Sequence, residues 1–148
     1  MTIATVNPFT NKTIASFSED TPDKVEKALA TADAEFTHWR HTHYTERAGL
    51  LRKVSAILRD RQKELSTLIT LEMGKLIAES EGEIKLSAAI FDYYADNAER
   101  LLADKPVKTE HDEALLRHSP IGVLLGVEPW NFSFYQAAAL RGAQCHGR

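Results

Sequence analysis

Cysteine is almost absent from this chain: one residue, Cys145, among 148. That excludes an internal disulfide framework and points to a compartment where thiols stay reduced, by default the cytoplasm. A charge excess of either sign is missing too. Lys plus Arg is 18 and Asp plus Glu is 21, a net charge of -3. No basic surplus suggests nucleic acid, and no basic amphipathic face suggests a membrane surface. The longest apolar run, Ile121 to Val127, falls far short of the ~20 residues that span a bilayer. Met1-Thr2-Ile3-Ala4 lacks the charged and apolar regions of a signal peptide. What is present, 43% hydrophobic and 26% charged residues, is globular composition and excludes wholesale disorder.

Two short strands are expected around Ile3–Val6 and Thr13–Phe17, separated by the turn formers of Asn7-Pro8-Phe9-Thr10-Asn11-Lys12. Thr21-Pro22 reads as an N-cap followed by proline at the first helical position. Val25, Ala28, Leu29, Ala32, Phe36 and Trp39 then predict an amphipathic helix over about 22–40, with Phe36 and Trp39 in the core. Ala48, Leu51, Val54, Ile57 and Leu58, then Leu65, Leu68, Ile69 and Met73, predict two more helices with a break near Asp60 and a stop at Gly74. A further helix is expected from Ile77 to Leu102, with Ile84, Ala88, Phe91, Ala95 and Ala98 on its inner stripe. Lys105-Pro106 ends the helical part. Ala114–His118 and Ile121–Val127 read as strands around Ser119-Pro120, followed by the turn Glu128-Pro129-Trp130-Asn131-Phe132.

That last stretch, from Ile121 through Val127 to Phe132, resembles the aldehyde dehydrogenase superfamily, whose P-W-N-F-P signature follows an apolar strand. Asn7-Pro8-Phe9-Thr10-Asn11 is similar to the family's N-P-x-T/D-x start. Phe36-Thr37-His38-Trp39 is similar to its F-x-x-W, and Glu72-Met73-Gly74-Lys75 to its E-x-G-K. The branch it looks most like is that of bacterial succinate-semialdehyde dehydrogenases. Two residues depart from the pattern: Ser133 and Leu76 stand where the family has proline.

The resemblance implies an α/β parent fold, of which these residues are mostly α-helical with a few short strands and lack the dinucleotide-binding sheet. It implies that residues 1–105 are the N-terminal helical part of the cofactor domain, 106–127 strands of the oligomerisation domain, and 128–148 the return to the cofactor domain. It implies oxidation of a small aldehyde by NAD or NADP in a homo-oligomer. Asn131 would stabilise the oxyanion, a negative charge that appears only in the transition state and that one donor stabilises by roughly 3 kcal/mol. Val127, Glu128, Pro129 and Trp130 would lie along the cofactor's ribose and nicotinamide. The nucleophilic cysteine, the glutamate base and the pyrophosphate-binding turn would lie beyond these residues. Cys145 matches no catalytic motif.

After Gln136 the likeness changes. Ala139-Leu140-Arg141-Gly142-Ala143-Gln144-Cys145-His146-Gly147-Arg148 can be encoded by GCG CTT CGC GGC GCC CAA TGT CAT GGC CGG. One base later, the same bases read R-F-A-A-P-N-V-M-A-G, the family's continuation. A frameshifted tail from about residue 137 is therefore expected. The whole is then a truncated enzyme, inactive alone and prone to self-association. The alternatives are a non-catalytic module that binds full-length subunits, and a product without function.

Two clusters read as ordinary surface. His38, His41 and His43 form a solvated helix end rather than a metal site, so no metal is expected. Glu79, Glu81 and Glu83 alternate around a helix, face different ways and are expected in solvent.

Overall fold

The computed structural model describes residues 2–110 and 113–146. It opens with an antiparallel hairpin, β1 (Thr2–Val6) and β2 (Thr13–Ser18), in which Ile3 pairs with Phe17 and Thr5 with Ala15. Its turn is built by Asn7, whose Oδ1 accepts the Phe9 and Thr10 amides at 2.9 and 3.0 Å. Asn11 takes a positive φ of 57°, a conformation that asparagine tolerates better than most residues.

Four helices follow: α1 (Pro22–Trp39), α2 (Tyr44–Asp60), α3 (Gln62–Met73) and α4 (Ile77–Leu102). Thr21 caps α1, its side chain accepting the Lys24 amide at 3.3 Å. Gly74 ends α3 in the left-handed region at φ 72°, where a Cβ would be strained. A second ribbon pairs β3 (Lys105–Lys108) with β4 (Glu113–Leu116). A 3-10 turn at Trp130–Phe132 leads into α5 (Ser133–His146). Among the described residues, the strands form these two separate two-stranded ribbons.

The core is one cluster at the junction of α2, α3, α4 and α5: Ala48, Leu51 and Leu58; Leu65 and Ile69; Ile84, Ala88, Phe91 and Ala95; and Ala138. Small polar residues let the helices close up. Ser55 is fully buried and its Oγ donates to the Ala88 carbonyl of α4 at 3.0 Å. Arg47 is buried as well, which sequence patterning did not signal. Its Nη2 donates to the Trp39 carbonyl at 2.8 Å and its Nε to Thr42 Oγ1 at 2.8 Å. The guanidinium also faces the Trp39 and Tyr44 rings. A buried arginine thus satisfies the carbonyl end of α1, where helices leave acceptors unpaired.

Four expectations need correction. Phe36 and Trp39 are only half-buried and α1 contributes no buried residue; the two rings line an open apolar hollow of about 330 Å³ with Leu102, Ile121 and Leu124. Val54 and Ile57 belong to α2 as their spacing predicts, on its exposed side, because the inner face runs through Ser55. Ile121–Val127 is not a strand: it has no ladder partner among the described residues, and Gly122 sits at φ 106°. The ladder forms instead between β4, which ends at Leu116 rather than His118, and β3, where the residue pattern marked only a helix end although the resemblance implied strands from 106 on. The fourth correction, Glu83, belongs to the site below.

Candidate functional site

The Trp130–Phe132 turn lies beside the α3–α4 junction, and two side chains of that junction hold it. Glu83 is not in solvent. Its side chain is 1% exposed, and Lys75 Nζ lies 2.6 Å from its Oε2. Its other oxygen, Oε1, accepts the amides of Phe134 and Tyr135 at 2.9 and 3.3 Å. These are first-turn donors of α5, which a helix leaves without partners of its own. A carboxylate there also opposes the positive end of the helix dipole.

Lys75 has two further contacts. Its Nζ donates to the Asn131 carbonyl at 3.1 Å and lies 3.9 Å from the centre of the Phe132 ring. Ser133, where a proline was expected, donates from Oγ to the Trp130 carbonyl at 3.0 Å. That bond ties the turn locally in place of a ring.

While its back is fastened, the front of this segment is open. Val127 and Trp130 are 86% and 81% exposed. Glu128, Pro129 and Asn131 are exposed too, so the five residues singled out in the sequence form one continuous strip. The Asn131 amide has a defined neighbour: Gln136 Nε2 donates to Asn131 Oδ1 at 3.3 Å. Turned over, the Gln136 amide would instead reach Glu128 Oε2 at 3.0 Å and the Pro129 carbonyl at 3.2 Å. This second orientation satisfies the Gln136 amide better, and in it the Gln136 oxygen lies 3.3 Å from the Asn131 side-chain amide, so Asn131 neighbours Gln136 in either orientation.

Sequence reading missed Lys75, Glu83 and Gln136. Lys75 stood inside a recognised motif, but nothing local marks Glu83, whose backbone-amide partners come more than fifty residues later. Cys145 falls in α5, with its side chain outside the described residues. Among the described residues there is no group of three or more His, Cys, Asp or Glu placed to hold a metal, and no helix long and apolar enough to cross a membrane.

Known proteins share the sequence and fold of this chain. Residues 1–142 match the sequence profile of the aldehyde dehydrogenase family. A succinate-semialdehyde dehydrogenase [NADP(+)] from Deinococcus radiodurans is 40% identical over 133 residues, covering 90% of this chain and 28% of that protein. Its counterpart from Mycobacterium leprae is 42% identical over 139 residues, covering 92% of this chain and 30% of that protein. The solved structure of the Streptococcus pyogenes succinic semialdehyde dehydrogenase with NADP+ superposes at a TM-score of 0.88 with 37% identity, covering 91% of this chain and 30% of that one. The chain thus spans less than a third of the length of the curated relatives it matches.

Proposed function

Since the chain belongs to the aldehyde dehydrogenase family, we propose that it is the N-terminal part of an NAD(P)-dependent enzyme that oxidises succinate semialdehyde or a similar small aldehyde. In this reading Asn131 is the oxyanion donor. Val127 and Trp130 offer apolar surface to the cofactor's ribose and nicotinamide, with Glu128 and Pro129 between them; NAD or NADP, bound there, supplies the hydride acceptor. The observation that carries the reading is the open strip itself. Large apolar groups stand in water beside an exposed asparagine, which suits a surface completed by ligand and further protein. An amide donor held before the charge develops needs no reorganisation when the oxyanion forms.

The nucleophile, the base and the pyrophosphate cradle are assigned to sequence beyond these residues. Taken alone, the 148 residues are therefore inactive. Within them, 1–105 belong to the cofactor domain, 106–127 to the oligomerisation strands and 128–148 to the cofactor domain again. The tail from about 137 is read as shifted in frame, and sequencing the gene across codons 136–148 decides that point. In the complete enzyme, restored in frame, Asn131→Ala lowers kcat by roughly 100-fold or more with little change in cofactor affinity. An unchanged kcat with chemistry rate-limiting would overturn the assignment. Aldehyde-dependent reduction of NAD(P) by the purified 148-residue chain would overturn its inactivity.

A second reading, association with other family subunits, is favoured by one observation: Ile121, Leu125, Val127 and Trp130 are each more than 80% exposed within ten residues. Retention of the chain by an immobilised full-length family subunit supports that reading, and free passage counts against it.

A further inference from the structure

We propose that Lys75 and Glu83 are a positioning pair, which fixes the backbone from Asn131 to Tyr135 and through it the aim of the Asn131 amide. The aim of that amide matters to catalysis only if Asn131 is the oxyanion donor, and to that extent the proposal rests on the reading above. The holding of the backbone does not.

The pair differs from the chain's other ion pairs in burial and in reach. Arg52–Asp96 and Arg61–Glu64 keep half or more of each side chain in solvent. Lys75 and Glu83 are 12% and 1% exposed. Withdrawing two charges from water is costly, and their mutual attraction repays that only when further hydrogen bonds satisfy them. Here every further bond goes to the same short segment. Glu83 Oε1 takes the Phe134 and Tyr135 amides, while Lys75 donates to the Asn131 carbonyl and faces the Phe132 ring.

The chemistry is also directional. Only an acceptor at 83 can take the α5 amides, and only a donor at 75 can hold the Asn131 carbonyl. Both partners are anchored in the helical core side of the molecule: Glu83 sits in α4, and Lys75 follows the left-handed stop at Gly74. The turn that carries Asn131 is therefore referenced to the core as well as to its own flanks.

Directionality supplies the test. If the pair only adds ion-pair stability, exchanging the two residues preserves it. If it positions the segment, the exchanged pair fails, since glutamate at 75 cannot donate and lysine at 83 cannot accept. Hydrogen–deuterium exchange on the full chain, read by mass spectrometry, follows peptides covering 131–137 and, separately, peptides of α2 and α4. Lys75→Met and Glu83→Met are expected to speed exchange in 131–137 by about tenfold or more while α2 stays protected. The double exchange Lys75→Glu with Glu83→Lys is expected to stay fast. Lys75→Arg, which keeps a cationic donor, is expected to recover much of the protection, and Asn131→Ala to leave exchange unchanged because the bond is to its backbone. Restoration by the double exchange overturns the proposal. So do unchanged rates in the Met variants, or equal acceleration in α2 and α4 for Lys75→Met and Lys75→Arg alike. A failure of Asn131 as oxyanion donor would appear only in kcat of the complete enzyme and would leave these exchange rates standing.

Discussion

Gly74 lies directly beneath Pro8: a Cβ built on the glycine would stand 3.0 Å from Pro8 Cγ. Two motifs far apart in sequence, the Asn-Pro turn of the first hairpin and the Glu-x-Gly-Lys end of α3, meet at this contact. Gly74 also holds φ at 72°. Gly74→Ala therefore combines left-handed strain, about 1 kcal/mol, with crowding against a rigid ring. Chemical denaturation is expected to show a loss of about 1–3 kcal/mol. Gly74→Asn relieves the strain only, and is expected to lose less.

A second glycine makes a tighter approach. Gly142 is buried against α4, and a Cβ there would meet Tyr94 Cδ2 at 2.8 Å and Ile90 Cγ2 at 3.3 Å. Gly142→Ala gains helix propensity but must push α5 away from α4. A net loss of about 1–3 kcal/mol is expected in thermal unfolding. Equal or greater stability would show that α5 does not dock on α4 as described.

Asp92 sets a pH dependence. Burial pushes its carboxyl up, but hydrogen bonds from Arg59 and Ser55 and the charges of Arg59 and Arg52 outweigh this and hold it below the usual value. A carboxylate depressed in the folded state contributes stability above its unfolded value, near 3.9. That contribution is lost as pH falls through the folded value. Arg59 Nη2 lies 2.6 Å from Asp92 Oδ2, with 52% and 35% of the two side chains exposed, so screening keeps the effect at about 1 kcal/mol or less. Asp92→Asn is expected to be less stable than the parent at pH 6–7. The two melting curves should converge as pH falls through the folded Asp92 value.

The exposed apolar strip predicts association. Leu125 is 88% and Ile121 81% exposed; β4 pairs only with β3 among the described residues, and unpaired strand edges template pairing between chains. Size-exclusion chromatography with light scattering is expected to show species larger than the monomer. Ile121→Lys with Leu125→Lys should shift them toward monomer without lowering the melting temperature, since neither side chain is in the core. A monodisperse parent monomer would refute this.

The helices were legible because their signals are local. Thr21-Pro22, Gly74 and the Ile84-Ala88-Phe91-Ala95-Ala98 stripe mark ends and faces within a few residues, and the structure follows them. Pairing is not local in that sense. Ile121–Val127 has strand composition but no ladder partner among the described residues, whereas Lys105–Lys108, with a proline, finds one in β4. Burial of charge was the least legible. By spacing, Glu83 is one of three alternating glutamates; it is buried because α5 brings two amides to it from residues 134 and 135. The strip from Val127 to Asn131 was found through motif likeness. The pair behind it owes its place to contacts across more than fifty residues, which no local pattern marks.

The core helices α2, α3 and α4 are consecutive in the chain, and their mutual packing needs nothing beyond residue 102. Contacts between sequence neighbours form early and quickly. Glu83 and Tyr135 are separated by 52 residues; at a synthesis rate of 5–20 residues per second the second follows the first by roughly 3–10 s. During that interval the helical core can assemble with Lys75 and Glu83 still hydrated, as a receptor made before its ligand. The segment from Asn131 to Tyr135 then arrives as an intramolecular guest, and its docking is what dries the two charges. The timing of the site is thus set by α5, and any change that slows or weakens the docking of α5 leaves a folded core with a wet, unaligned turn.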